Sequence, residues 1–173
     1  LPISGGKDST FQAYVLKEIY DFNPLAITHG SNWLSMTGRY NLENCLQKFD
    51  LDHLMFIPGR KIINNVAKKS LKKIGDACWH CHIGVGTFPI QTCVEWNLNL
   101  IIYGEAPADT DARGTHKKIQ KIDIHRFLKE SAIFKSKDFV DKKTKNKNLS
   151  HWEYPSKKRI NSQKINIIHL GQY

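Results

Sequence analysis

The chain has 173 residues, 40% of them hydrophobic, and a formal net charge of +10 from 26 Lys and Arg against 16 Asp and Glu. That length supports one hydrophobic core and is short for two, so one domain spanning 1–173 is expected. No apolar run approaches the roughly 20 residues of a membrane span, no leader pattern is present, and four scattered cysteines do not make a secreted disulfide scaffold, so a reduced cytoplasmic protein is expected.

In chain order, Leu1-Pro2-Ile3 reads as the end of a strand, shorter than the five or six residues that are usual, so the chain reads as a fragment. A Gly loop follows, then a helix whose apolar residues Phe11, Tyr14, Val15 and Ile19 fall on one face. Asn23-Pro24 ends it. Leu25–Thr28 reads as a short buried strand, Tyr40, Leu42, Leu46 and Phe49 as a second helix, and Leu54–Ile57 as a third strand closed by Pro58-Gly59. Helices are expected over about Lys61–Ile74 and between Cys81 and Trp96. Leu98–Tyr103 is a strongly apolar strand ending at Gly104-Glu105, and Ile165–Leu170 restores strand character near the end. Strands alternating with helices predict an α/β fold: a mainly parallel, twisted sheet of about five strands with helices on both faces.

Charge is unevenly spread. Residues 1–115 hold 11 basic and 11 acidic side chains, whereas 116–164 hold 15 and 5, so that tract carries the whole excess. It reads as a basic insertion or lid at about 116–164, solvated and rich in Lys and Asn. RNA phosphates are the competing use for its charge, but aromatics are sparse in it, so nucleic acid is not the favoured partner.

The segment Ser4-Gly5-Gly6-Lys7-Asp8-Ser9-Thr10 joins a strand to a helix, where parallel sheets bind ligands. Gly5 and Gly6 tolerate positive φ, which lets successive N–H groups line one concavity, and the helix behind adds its positive end. Ser4, Ser9 and Thr10 supply hydroxyls, Lys7 a cation, and Asp8 a carboxylate able to orient the loop or help hold Mg²⁺. The spacing is not that of Walker A. It resembles the SGGxDS signature of PP-loop ATP pyrophosphatases, which share the adenine nucleotide alpha hydrolase-like fold. That resemblance implies a loop gripping the pyrophosphate part of ATP and leaving the α-phosphate open to attack.

SGGKDST, QAYVLKE, NPLAITHG, GRYNLEN, GDACWHCHIGVGTFP and NLIIYGE together resemble the N-acetyl sugar amidotransferases of surface-polysaccharide biosynthesis, over roughly Leu1–Glu105. The resemblance implies ATP-dependent adenylation of a sugar N-acetyl oxygen, displacement of AMP by ammonia to leave an acetamidino group, and a separate glutaminase subunit supplying that ammonia. It implies an N-acetylated sugar, nucleotide-linked or lipid-linked, as substrate in lipopolysaccharide or related glycan synthesis. The family's N-terminal cysteine-containing segment is not in this chain.

The candidate catalytic residues are Lys7, Asp8 and Glu105. Candidate nucleotide contacts are Ser4 to Thr10, with Thr28 and His29 at the second strand's end and Gly104 at the fourth's. Glu105 can bind Mg²⁺, place the acceptor, or be a solvated strand-end carboxylate. Cys78 and Cys81 in Cys78-Trp79-His80-Cys81-His82 supply two of the four ligands of a Zn²⁺ or iron–sulfur site, or a redox or substrate-pocket element, or a turn. Cys45 and Cys93 fit core positions. Asp109, Asp111 and Arg113 share the next loop, and Arg113 can hold an anionic sugar or sit on the surface. The alternatives are a tRNA 2-thiolation-type enzyme, on the C-x-x-C and the basic tract, and a non-catalytic adenine-nucleotide-binding module.

Overall fold

A computed structural model describes residues 1–104, 134–139 and 146–172. Four strands form at β1 (Ala26–His29), β2 (His53–Phe56), β3 (Leu100–Tyr103) and β4 (Asn166–His169), with helices α1 (Lys7–Tyr14), α2 (Met36–Lys48), α3 (Arg60–Ile74), α4 (Trp79–Glu95) and α5 (Lys157–Gln163). A π-helical turn extends α1 over Val15–Ile19, and 3₁₀ turns occupy Ser136–Phe139 and Asn146–Trp152.

The expected sheet of about five strands does not form, which overturns the PP-loop-type α/β architecture read from the sequence. β1 and β2 pair in parallel from Ala26↔His53 to His29↔Phe56, and β3 and β4 in parallel from Leu100↔Asn166 to Tyr103↔His169, as two separate two-stranded sheets among the described residues. The element that would join them is Leu1–Ile3. It makes one bridge, Pro2 with Ile27, through hydrogen bonds from Ile3 N–H to Ile27 and from Ile27 N–H to Leu1. Proline has no N–H to extend a ladder, and on the other side the Ile102 carbonyl of β3 accepts instead from the side chain of Gln12.

α1 turns a different face inward from the one its apolar residues mark. Phe11 and Ile19 are 63% and 60% exposed, while Ser9, Gln12, Ala13 and Leu16 are buried. Ser9 and Gln12 bind the loop and β3, and Ala13 is small enough for close packing, so polar ties set the helix's rotation. α2 follows its pattern more closely: Leu42, Cys45 and Phe49 are buried, Tyr40 is exposed, and Ser35 caps the helix by accepting from Gly38 N–H at 3.0 Å.

α4 is buried on most sides, packing on β1, α3, β3, α5 and the Asn146–Trp152 turn. Part of the basic tract supplies core. Phe139, Leu149 and Trp152 join Ile63, Val66, Trp79 and Ile83 in one apolar cluster, and Ile160 joins Ile90, Cys93 and Ile167 in another. Fully burying a side chain such as Phe139 contributes roughly 1.5–3 kcal/mol, so the described stretch of this tract is more than a solvated insertion. Among the described residues no helix is long and apolar enough to cross a membrane.

Candidate functional site

The Gly loop opens on a cavity at the carboxyl ends of β1 and β2. Ile3, Ser4 and Ser9 form one wall, Thr28, His29 and Gly30 the floor, and Arg39 and Leu42 of α2 another wall. Met55 and Ile57 come from the end of β2, Cys81, Val85 and Pro89 from α4, and Tyr103 from β3.

The two glycines differ. Gly5 has φ +75°, and a Cβ there would lie 2.5 Å from the backbone nitrogen and 2.6 Å from the Cα of Leu42. Both conformation and space therefore demand glycine. Gly6 is extended, φ −77° and ψ 170°, and begins α1 without a side-chain cap. The first intrahelical bond runs from Thr10 N–H to the Gly6 carbonyl at 3.0 Å, so the N–H groups of Lys7, Asp8 and Ser9 have no intrahelical acceptor. Ser9 knots the loop together: its hydroxyl donates to the Gly6 carbonyl at 3.2 Å and accepts from Ser4 N–H at 3.3 Å, and Gly6 N–H donates to Ser4 Oγ at 3.3 Å. All three are longer than the usual ranges for such bonds, so each is weak.

Lys7 and Asp8 pair at 3.3 Å with side chains 90% and 55% exposed, so both heads reach solvent at the loop mouth. Gly104 brings β3 against α1: a Cβ there would come within 2.9 Å of the Asp8 carbonyl and 3.0 Å of Gln12 Oε1. Glu105, Asp109, Asp111 and Arg113 lie outside the described residues.

Thr28 has a structural task. Its hydroxyl donates to the Ile3 carbonyl at 2.6 Å and therefore accepts from His53 Nε2 at 2.9 Å, which fixes the His53 tautomer. Gly30 N–H is spent on the Phe56 carbonyl at 2.8 Å.

His29 is buried, and among the described residues neither ring nitrogen has a hydrogen-bond partner. Burial, then the neighbouring His151 and His80, pushes its pKa down to about 4, so the ring is neutral, with one donor and one acceptor nitrogen. It stacks on His151 at 5.9 Å and meets Phe88 edge-on at 6.1 Å.

The Cys78-Trp79-His80-Cys81-His82 run opens α4, and its groups diverge. Cys78 is exposed, with its N–H bound to Asp76 Oδ1 at 2.6 Å. His82 Nδ1 faces Asp76 at 3.6 Å, while His80 is fully buried edge-on to Trp33 at 4.7 Å. Cys81 lines the loop cavity, and burial, then Cys78 and Asp76, raises its thiol pKa. Among the described residues no three His, Cys, Asp or Glu side chains stand together to share a metal ion. Cys78 and Cys81 offer two thiols and the described residues do not complete a coordination sphere. Cys45 and Cys93 are buried, as their positions predict.

Arg39 carries no role in the sequence reading, yet it lines the cavity. The one hint was its place beside Gly38 in GRYN, just inside a helix start. No family model and no curated protein matches the chain.

Proposed function

We propose that the chain is an ATP-dependent, AMP-forming amidotransferase. In this reading it adenylates the N-acetyl carbonyl of a sugar and replaces the oxygen with ammonia, leaving an acetamidino group for glycan biosynthesis. The observation that carries the reading is the Gly5 cradle. A glycine-only turn is followed by three first-turn N–H groups without intrahelical acceptors, beside a mostly apolar cavity. Such a turn favours a phosphate, and such a cavity favours a planar base.

Each residue's part follows from its place. The N–H groups of Lys7, Asp8 and Ser9, with the exposed Lys7 ammonium, hold the pyrophosphate portion of ATP. Asp8 is placed to approach Mg²⁺ brought in with the nucleotide. Ser4 and Ser9 keep the loop in shape, and the end of β1 at Thr28 to Gly30 lines the cavity in which the base would sit. An amide oxygen is a poor leaving group and AMP a good one, so adenylation makes displacement by ammonia feasible. In this proposal a glutaminase partner supplies the ammonia.

A second reading is favoured by Cys81, whose thiol lines the cavity beside the loop. A thiol there suits sulfur transfer to an adenylated tRNA base. Both readings are tested by pyrophosphate release from Mg·ATP with ammonium and N-acetylated nucleotide sugars, beside a reaction with bulk tRNA. Release that depends on a sugar supports the amidotransferase, and release that depends on tRNA replaces it with the thiolase. ATP binding with no release under either condition leaves a nucleotide-binding module.

A further inference from the structure

A second concavity, of ≈ 1060 Å³, lies between the β2–α3 connection, α4 and the segment around Ser150–Pro155. That volume has room for a ligand of nucleotide size. Ile57 lines both this groove and the loop cavity, so the two adjoin. Rings make one side of it: Phe56 lies 5.7 Å from Phe88 and 4.9 Å from His151, and Tyr154 also lines it.

The charges on its rim are unequal. Arg159 is paired with Glu95 at 2.9 Å, and Glu153 accepts from the Ser136 hydroxyl at 2.5 Å. Arg60 and Lys61 are exposed and make no ion pair among the described residues. They also stand in the first turn of α3, which has no acidic residue and no side-chain cap. Two cations at the positive end of a helix repel its dipole. An anion in the groove would reverse that repulsion.

We propose that this groove is a second ligand site, which takes an organic phosphate by laying its ring on Phe56 and Phe88 and its phosphate against Arg60 and Lys61. Its service as the site of the sugar substrate, whose N-acetyl oxygen takes AMP from ATP in the adjoining cavity as pyrophosphate leaves, rests on the ATP reading above. The binding itself does not.

The test titrates uridine diphosphate, a pyrimidine probe, onto the full chain saturated with α,β-methylene-ATP, and separately titrates the ATP analogue alone. The expected result is uridine diphosphate binding that Arg60→Glu/Lys61→Glu weakens at least tenfold and Phe88→Leu weakens several-fold, with analogue binding changed less than twofold. Inorganic pyrophosphate should bind more weakly than uridine diphosphate. Thermal melts of the unliganded double variant should show no loss of stability, since the charge reversal suits the helix dipole, so weakened binding cannot be unfolding. Uridine diphosphate binding that is absent, or indifferent to the double substitution, overturns the second site while leaving the ATP reading intact. Failure of the analogue alone to bind overturns the ATP reading, and uridine diphosphate titrated without it still decides the groove.

Discussion

Gly84 of α4 packs against the imidazole of His29 at the end of β1, so closely that a Cβ at position 84 would overlap ring atoms Cε1, Nδ1 and Cγ. The contact joins the central helix to the floor of the loop cavity. Inside a helix glycine is unfavourable by about 1 kcal/mol relative to alanine, so Gly84→Ala would gain helix propensity anywhere else. Here overpacking dominates, and Gly84→Ala should destabilise the protein by roughly 1–3 kcal/mol net. Urea denaturation measures it, and a neutral or stabilising result would show that the ring can move aside.

The same ring predicts a pH dependence. His29 and His151 each have a pKa lowered to about 4 in the folded chain, by burial first in both cases. Well above pH 6.5, the unfolded value, both are neutral whether folded or not and cost nothing. As pH falls from about 6.5 toward 4 the unfolded chain binds protons that the folded chain refuses, so stability declines and then levels off. Between pH 7 and 5.5 the loss for His29 is about 1 kcal/mol. It is smaller for His151, which is partly exposed. His29→Leu should flatten the fall over this window, measured by denaturant midpoints at each pH. An unchanged slope would mean that the ring finds a partner in solution.

How much of this was legible depends on whether neighbours or distant residues decide each feature. The span of α3 and the core places of Cys45 and Cys93 follow from local apolar spacing, which needs no knowledge of the rest of the chain. The face of α1 does not. Its apolar stripe of Phe11, Tyr14 and Ile19 is exposed because Gln12 binds a carbonyl 90 residues away and Ser9 binds the loop. Sheet continuity is likewise a long-range property: the pattern marks each strand, yet cannot show that Gln12 takes the Ile102 carbonyl. In the site, Gly5 was readable from its motif. Arg39 was not, because only the packing of α2 beside the loop brings it to the cavity.

Thr28→Val is nearly isosteric and removes one hydroxyl. It leaves the Ile3 carbonyl and His53 Nε2 with one partner fewer in a buried setting. The cost of such orphaned groups is about 1–3 kcal/mol. A urea midpoint equal to wild type would argue that water replaces the hydroxyl.

Phe139 tests whether the basic tract belongs to the fold. It is 1% exposed, 4.4 Å from Trp79 between ring centroids, and flanked by Lys73, whose Nζ lies 5.7 Å from the ring. Phe139→Ala should cost roughly 3–5 kcal/mol by opening a cavity. Its exposed neighbour supplies the control, with Lys137→Ala expected to stay within about 0.5 kcal/mol. If both are silent in thermal denaturation, the segment does not pack on α3 and α4 in solution.

Gly5 and Gly6 separate the cradle's geometry from its composition. At Gly5 a methyl group meets the Leu42 backbone at 2.5 Å with φ at +75°, and neither the backbone of α2 nor the turn can yield cheaply. Gly5→Ala should lower stability by at least about 1 kcal/mol for the left-handed conformation alone, and on the proposed function it should weaken ATP binding more than tenfold by turning the loop's N–H groups. At Gly6 the backbone is already extended, and the nearest atom to an added methyl is Ser4 Oγ at 3.3 Å, the end of a side chain that can rotate. Gly6→Ala should therefore still fold, at a cost of about 1 kcal/mol because alanine is a poorer N-cap than glycine. Its nucleotide affinity then reports how closely phosphate approaches the loop. Calorimetric titration of both variants with Mg·ATP checks the pair, and equal, undiminished affinities would remove the cradle from the binding of ATP.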